Sequence, residues 1–192
     1  PRLHLTLGKL LLESGKEEDA VKAFKKAANL FPENFSAQIR LADWYYINGM
    51  LENSLETYKV AETLDSDNAV VQARLGKIYA GKNQNIKAQV VLENAIKLNP
   101  KDAESHYQLG KLVSGEGKWG RAQSLLSNAI ALDARHGASY YELGVVFLGK
   151  GNLDLAMDNF KKALDLEPKN TDYIIGLAMA LVEKKDLDSA LD

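Results

Sequence analysis

Residues 137–170 read GASYYELGVVFLGKGNLDLAMDNFKKALDLEPKN. Tyr140, Leu143, Gly144 and Phe147 fall at helical spacing, so they mark one face of a first helix. Gly149-Lys150-Gly151-Asn152 breaks the pattern with turn residues. A second stripe of Leu155, Ala156, Phe160, Ala163, Leu164 and Leu166 follows and stops before Pro168. The stretch is a helix hairpin.

The same hairpin recurs every 34 residues. Gly144 is preceded at that interval by Gly110, Gly76, Ala42 and Gly8, and followed by Ala178. Small residues at this place allow two helix backbones to approach closely. The second helix repeats its own rows: Ala20, Ser54, Ala88, Ala122 and Ala156 are small, as are Ala27, Ala61, Ala95, Ala129 and Ala163. Phe24, Tyr58, Leu92, Leu126 and Phe160 form a row of large side chains. Small rows facing large rows are how neighbouring helices interlock at native density. The repeats predicted from this register are 1–34, 35–68, 69–102, 103–136 and 137–170, with a partial sixth at 171–192. In that sixth repeat Ile174, Leu177 and Leu181 continue the core stripe, and Leu187 with Ala190 is expected to begin a second helix.

Over its whole length the sequence resembles the tetratricopeptide repeat family, with its 34-residue period and its Leu-Gly, Ala, Phe and Pro elements. Pro32, Pro100 and Pro168 match the Pro, where Ser66 and Ala134 depart from it. The family's Trp is replaced by His4, Gln38, Gln72, His106, Tyr140 and Ile174. The resemblance implies an all-α fold, an α-solenoid of tandem helix-turn-helix repeats wound into a right-handed superhelix, with residues 1–192 as a single array. Each repeat packs only on its neighbours, so a terminal repeat lacking a polar cap exposes an apolar face.

The resemblance also implies that the first helices line a concave inner wall. Arg40, Arg74, Lys77 and Lys111 are expected to form a basic stripe on that wall, extended by Tyr107 and Tyr141. Arg74 and Lys77 share a helix face, and first helices of adjacent repeats are roughly 8–10 Å apart. Arg binds carboxylates bidentately, Lys adds a point charge, and Tyr offers contact area at small entropy cost. The expected partner is a protein or peptide segment, acidic and partly apolar. Asp43 is the natural competitor, through an ion pair with Arg40 on the same helix. The family's chaperone-binding carboxylate clamp does not fit, because Leu5, Lys9, Arg40 and Val70 occupy its places and only Arg74 agrees. The alternative is a self-assembling scaffold, a homo-oligomer formed through array ends or groove.

Other functions are disfavoured. Near-neutral net charge argues against a nucleic-acid partner, and the basic Lys87, Lys97 and Lys101 of the third repeat fall on its second helix and turn. No apolar run approaches bilayer length, so direct membrane insertion is not expected. A cytoplasmic setting is preferred for a chain that begins at Pro1 and is read as a fragment of a longer protein. The sequence holds no Cys, and His4, His106 and His136 lack ligand spacing, so no metal site and no cofactor are expected. Gly115-Glu116-Gly117-Lys118-Trp119-Gly120 matches the letters of a dinucleotide fingerprint, but no strand precedes it. No catalytic constellation is apparent and the chain is not expected to be an enzyme.

Overall fold

The computed structural model describes the backbone of residues 2–191 and the side chains of residues 2–185. The described residues are helical hairpins joined by short turns and contain no strand. They fall into two compact units, Pro1–Leu98 and Asn99–Asp192. The first unit holds α1 (Arg2–Glu13), α2 (Glu17–Leu30), α3 (Phe35–Ile47), α4 (Leu51–Leu64), α5 (Ala69–Gly81) and α6 (Asn85–Leu98). The second holds α7 (Ala103–Gly115), α8 (Trp119–Leu132), α9 (Gly137–Gly149), α10 (Leu153–Leu166) and α11 (Thr171–Leu191). Among the described residues no helix is long and apolar enough to cross a membrane.

Each hairpin closes where a small residue of its first helix meets a large one of its second. A Cβ added to Gly76 would stand 2.5 Å from Leu92, one added to Gly110 2.8 Å from Leu126, and one added to Gly144 2.7 Å from Phe160. Gly8 meets the Phe24 ring in the same way. Phe24, Leu92, Leu126 and Phe160 are buried, as are Ala27, Ala61, Ala95, Ala129 and Ala163. In the second hairpin Ala42 and Ser54 take the Gly and Ala places, and the buried Ser54 hydroxyl donates to the Ala42 carbonyl at 2.9 Å. The polar side chain is thereby satisfied inside the core.

The starts of α3, α5, α7 and α9 share one device. Asn34, Asn68, Asp102 and His136 stand at the N-cap and accept from the backbone N–H of Ala37, Val71, Ser105 and Ser139 at 3.0, 3.3, 3.2 and 3.2 Å. The residues in the family's Trp place add a tie of their own. Gln38 and Gln72 donate to the carbonyls of Pro32 and Ser66 at 3.0 and 3.3 Å, and His106 Nε2 meets the Pro100 carbonyl at 3.0 Å. At these three places the side chain ties the helix to the preceding turn.

Every turn within a complete hairpin passes through one left-handed residue: Gly15, Gly49, Asn83, Gly117 and Gly151, with φ of 71°, 71°, 56°, 73° and 73°. Gly and Asn tolerate that region and other residues are strained there. The next place in this register is Lys185. The expected second helix of the sixth repeat is accordingly not separated: α11 runs unbroken from Thr171 to Leu191. The side chains of Leu187 and Ala190 lie outside the described residues. Gly115 to Gly120 form the α7–α8 turn, and Trp119 at the start of α8 packs on Gly149, whose added Cβ would meet the indole at 2.9 Å.

Gly144→Val should therefore lower unfolding free energy by about 1–3 kcal/mol, the usual cost of overpacking, and Gly149→Ala by less because only one ring edge opposes it. Urea denaturation followed by far-UV circular dichroism checks both, and an unchanged midpoint for Gly144→Val would show that α9 and α10 do not meet as described.

Candidate partner-binding surface

In the first unit, α3 and α5 carry the expected wall residues. Arg40 on α3 is exposed and has no ion-pair or hydrogen-bond partner among the described residues. Arg74 on α5 is half-buried, with Nε 3.5 Å from Asp43 Oδ1, an ion pair without a hydrogen bond. Its guanidinium also lies 5.9 Å from the Tyr46 ring centre, a favourable cation–π placement. Asp43 accepts in addition from the hydroxyl of the buried Tyr58. Burial and that carboxylate push the Tyr58 phenol well above its usual range. The competing Asp43–Arg40 pair is not formed, and a link between helices stands in its place, with the Asp43 carboxylate held by Tyr58 of α4 and paired with Arg74 of α5. Lys77, one turn from Arg74, is half-buried and engaged.

In the second unit, Lys111 on α7 is exposed and its Nζ lies 3.5 Å from Glu142 Oε1 on α9. Glu142 is buried, and burial pushes its carboxyl above the usual range against the pull of Lys111. Tyr107 on α7 lies against the His136 ring, centroids 4.8 Å apart. Tyr141 on α9 stacks on Tyr173 at 5.1 Å and leans on Phe160 at 5.6 Å. Both tyrosines are half-buried, and burial followed by Glu142 raises their phenol pKa values. Burial pushes the Tyr173 phenol up to about 12, with Glu167 adding to the rise. The aromatic side chains are therefore packed against neighbouring rings.

The two ion pairs occupy one register. Asp43 and Lys111 stand at the ninth place of their repeats, and Arg74 and Glu142 at the sixth place of the repeat that follows. The polarity is opposite in the two units, so Arg74 and Lys111 do not present bare positive charge. Asp43, Arg74 and Lys111 were legible as polar residues of the first helices, but not these pairings. The signal was the recurrence of opposite charges 31 residues apart.

His136 shows a second arrangement that spacing did not reveal. Its Nδ1 accepts from the Ser139 N–H and stands 2.8 Å from Ser139 Oγ, and its Nε2 lies 3.3 Å from Glu104 Oε2. Ser, His and Glu in sequence invite comparison with a hydrolytic triad. The Ser139 side chain is fully buried, however, and serves the cap of α9, so no substrate reaches it. Among the described residues no group of three or more ligating side chains is placed to hold a metal.

Two segments, residues 5–69 and 107–171, match the family model described as Tetratricopeptide repeat, and residues 76–117 match one described as TPR repeat. The matched segments cover more than half of the chain, which belongs to the tetratricopeptide repeat family. It is a protein-interaction scaffold of that family, whose members are typically non-enzymatic. A search of curated protein sequences finds no match. Among solved structures the chain is similar to MamA, with 28% identity over 84% of this chain and 95% of that one and a TM-score of 0.75. It is also similar to TTC0263, a thermophilic TPR protein in Thermus thermophilus, at 26% identity over 94% and 98% with a TM-score of 0.65. YrrB, a TPR protein with an unusual peptide-binding site, shares the fold at 24% identity over 95% and 90% with a TM-score of 0.75.

The Glu104 contact raises the His136 pKa in the folded state, with desolvation opposing it. Stability from this pair is present below the imidazole's unfolded pKa and is lost as pH rises through the folded one. His136→Asn keeps a side-chain N-cap, as Asn34 and Asn68 do, but does not titrate. The neutral ring alone can accept the Ser139 N–H at Nδ1, but the raised pKa means that the Glu104 pair outweighs this, so denaturant titrations across the imidazole range should show the natural chain losing up to about 1 kcal/mol relative to the variant as pH rises. Parallel pH profiles would show that the Glu104 pair contributes nothing.

Proposed function

We propose that this scaffold holds a peptide or helical segment of a partner protein on the face formed by its first helices, and that the segment is acidic and partly apolar. Residues 1–192 act in this reading as one array, with Arg40, Arg74, Lys77, Tyr107, Lys111 and Tyr141 as contact residues. The observation that carries it is the preorganised Arg74. Asp43 and the Tyr46 ring hold the guanidinium in place while its side chain stays 41% exposed. A cation fixed beforehand loses little entropy on meeting a carboxylate, and its planar fork suits two-point contact. Tyr107 and Tyr141, already packed, add apolar area at equally small cost.

The second reading, self-assembly, has its own observation. Along α11, Ile174, Ile175, Met179, Leu181 and Val182 are exposed, a larger apolar stripe than scattered surface residues provide. Light scattering across a dilution series separates the readings. The groove-binding reading expects a single species near the 21.2 kDa chain mass. Masses that rise to multiples and fall back in Ile175→Glu with Met179→Glu would favour assembly.

The direct test of the first reading is Arg74→Glu combined with Lys77→Glu, titrated against a fluorescein-labelled amidated peptide of alternating Glu and Leu. Binding should be abolished while the helical signal is retained. Unchanged affinity removes Arg74 and Lys77 from the contact set.

A further inference from the structure

The first unit contains a pocket of about 450 Å³ between α1 and the first turns of α3. Arg2, Lys9 and Arg40 line it together with Leu5, Phe35 and Ile39. Arg2 and Lys9 are seven residues apart on α1 and so share one helix face. All three cations are exposed, and among the described residues none has an ion-pair or hydrogen-bond partner. The lining contains no carboxylate.

Comparison with the other registers shows what is unusual here. The ninth place of one repeat and the sixth of the next hold Asp43 with Arg74, and Lys111 with Glu142, each an ion pair at 3.5 Å. The same two places in the first and second repeats hold Lys9 and Arg40, two like charges around one concavity. Like charges drawn to one site raise its potential, and an anion placed between them relieves the repulsion. Leu5, Phe35 and Ile39 are half-buried, so the pocket also offers an apolar floor. A small inorganic anion leaves that floor unused, whereas a peptide carboxylate with an apolar neighbour uses both.

We infer that this pocket receives a side-chain carboxylate from an acidic, partly apolar segment of a partner protein. Lys9 and Arg40 are its ion-pair partners, Arg2 adds to the field, and the neighbouring apolar side chain rests on Leu5 and Ile39. The partner's carboxylate does for Lys9 and Arg40 what Asp43 does for Arg74. The inference rests on the peptide-binding reading above and gives it an anchor that contains Arg2 and Lys9, which lie outside the contact residues named there.

The test uses the full chain and two labelled, amidated peptides, one of alternating Glu and Leu and one of alternating Gln and Leu, followed by fluorescence anisotropy at low salt. The Glu peptide should bind the natural chain more tightly than the Gln peptide. Lys9→Glu with Arg40→Glu should weaken the Glu peptide by about tenfold or more, and Lys9→Gln with Arg40→Gln by less, since single exposed ion pairs are weak. Both positions are exposed, and circular dichroism melts verify that the variants fold. If the Glu peptide binds and is lost on changing Arg74 and Lys77 but not on changing Lys9 and Arg40, the pocket assignment is overturned and the groove reading stands. Equal binding of the Glu and Gln peptides overturns the carboxylate assignment. Binding of neither peptide overturns the anchor and the groove reading together.

Discussion

The contact on which the molecule depends is the seating of a large second-helix side chain against a first-helix backbone that has almost no room for a Cβ. Phe24 on Gly8, Leu92 on Gly76, Leu126 on Gly110 and Phe160 on Gly144 are the same contact made four times. Close approach fixes the rotation of each first helix about its axis. Once Leu75 and Gly76 are buried, Arg74 and Lys77 on either side of them are left towards the opposite edge of that helix. The side on which the proposed contact residues stand is thus a consequence of packing within the hairpin.

Polar contacts at the turns set where each helix begins and ends. The N-cap side chains at Asn34, Asn68, Asp102 and His136 satisfy N–H groups that no intrahelical carbonyl can reach. The left-handed residues Gly15, Gly49, Asn83, Gly117 and Gly151 turn the chain back. Where that residue is Lys185, the chain continues as helix. Apolar periodicity alone therefore does not make a hairpin: Leu187 and Ala190 keep the register of a second helix, but no residue before them relieves the backbone.

The fold was legible in the sequence because its determinants lie within one repeat and recur in register. Small, large and cap positions stand at fixed offsets, so the copies corroborate one another. The face was legible only in part. Which residues point towards it follows from the same register, but their pairing depends on neighbours in the next repeat. Asp43 reads as a partner for Arg40, three residues away on one helix, yet the Tyr58 hydroxyl from α4 holds its carboxylate and α5 brings Arg74 to it. Likewise nothing within its own repeat marks Glu142 as a buried carboxylate beside Lys111. His136 reads as a turn residue, and only the fold shows it joining the cap of α9 to Glu104 of α7.

These pairings bear on the binding mode proposed for the first helices. A row of bare cations would attract any polyanion, with little preference for where the charges fall. Here Arg74 already has Asp43, and Lys111 already has Glu142, whose carboxyl is partly deprived of water. In that reading an acidic ligand meets at Arg74 a guanidinium held in place and shared with Asp43, and at Lys9 and Arg40 two cations whose lining holds no carboxylate. On the proposed binding mode, the position of a carboxylate along the ligand matters as well as total charge. Apolar residues complete the discrimination, since an ion pair in contact with solvent contributes little alone and the buried area beside it decides whether the segment stays bound.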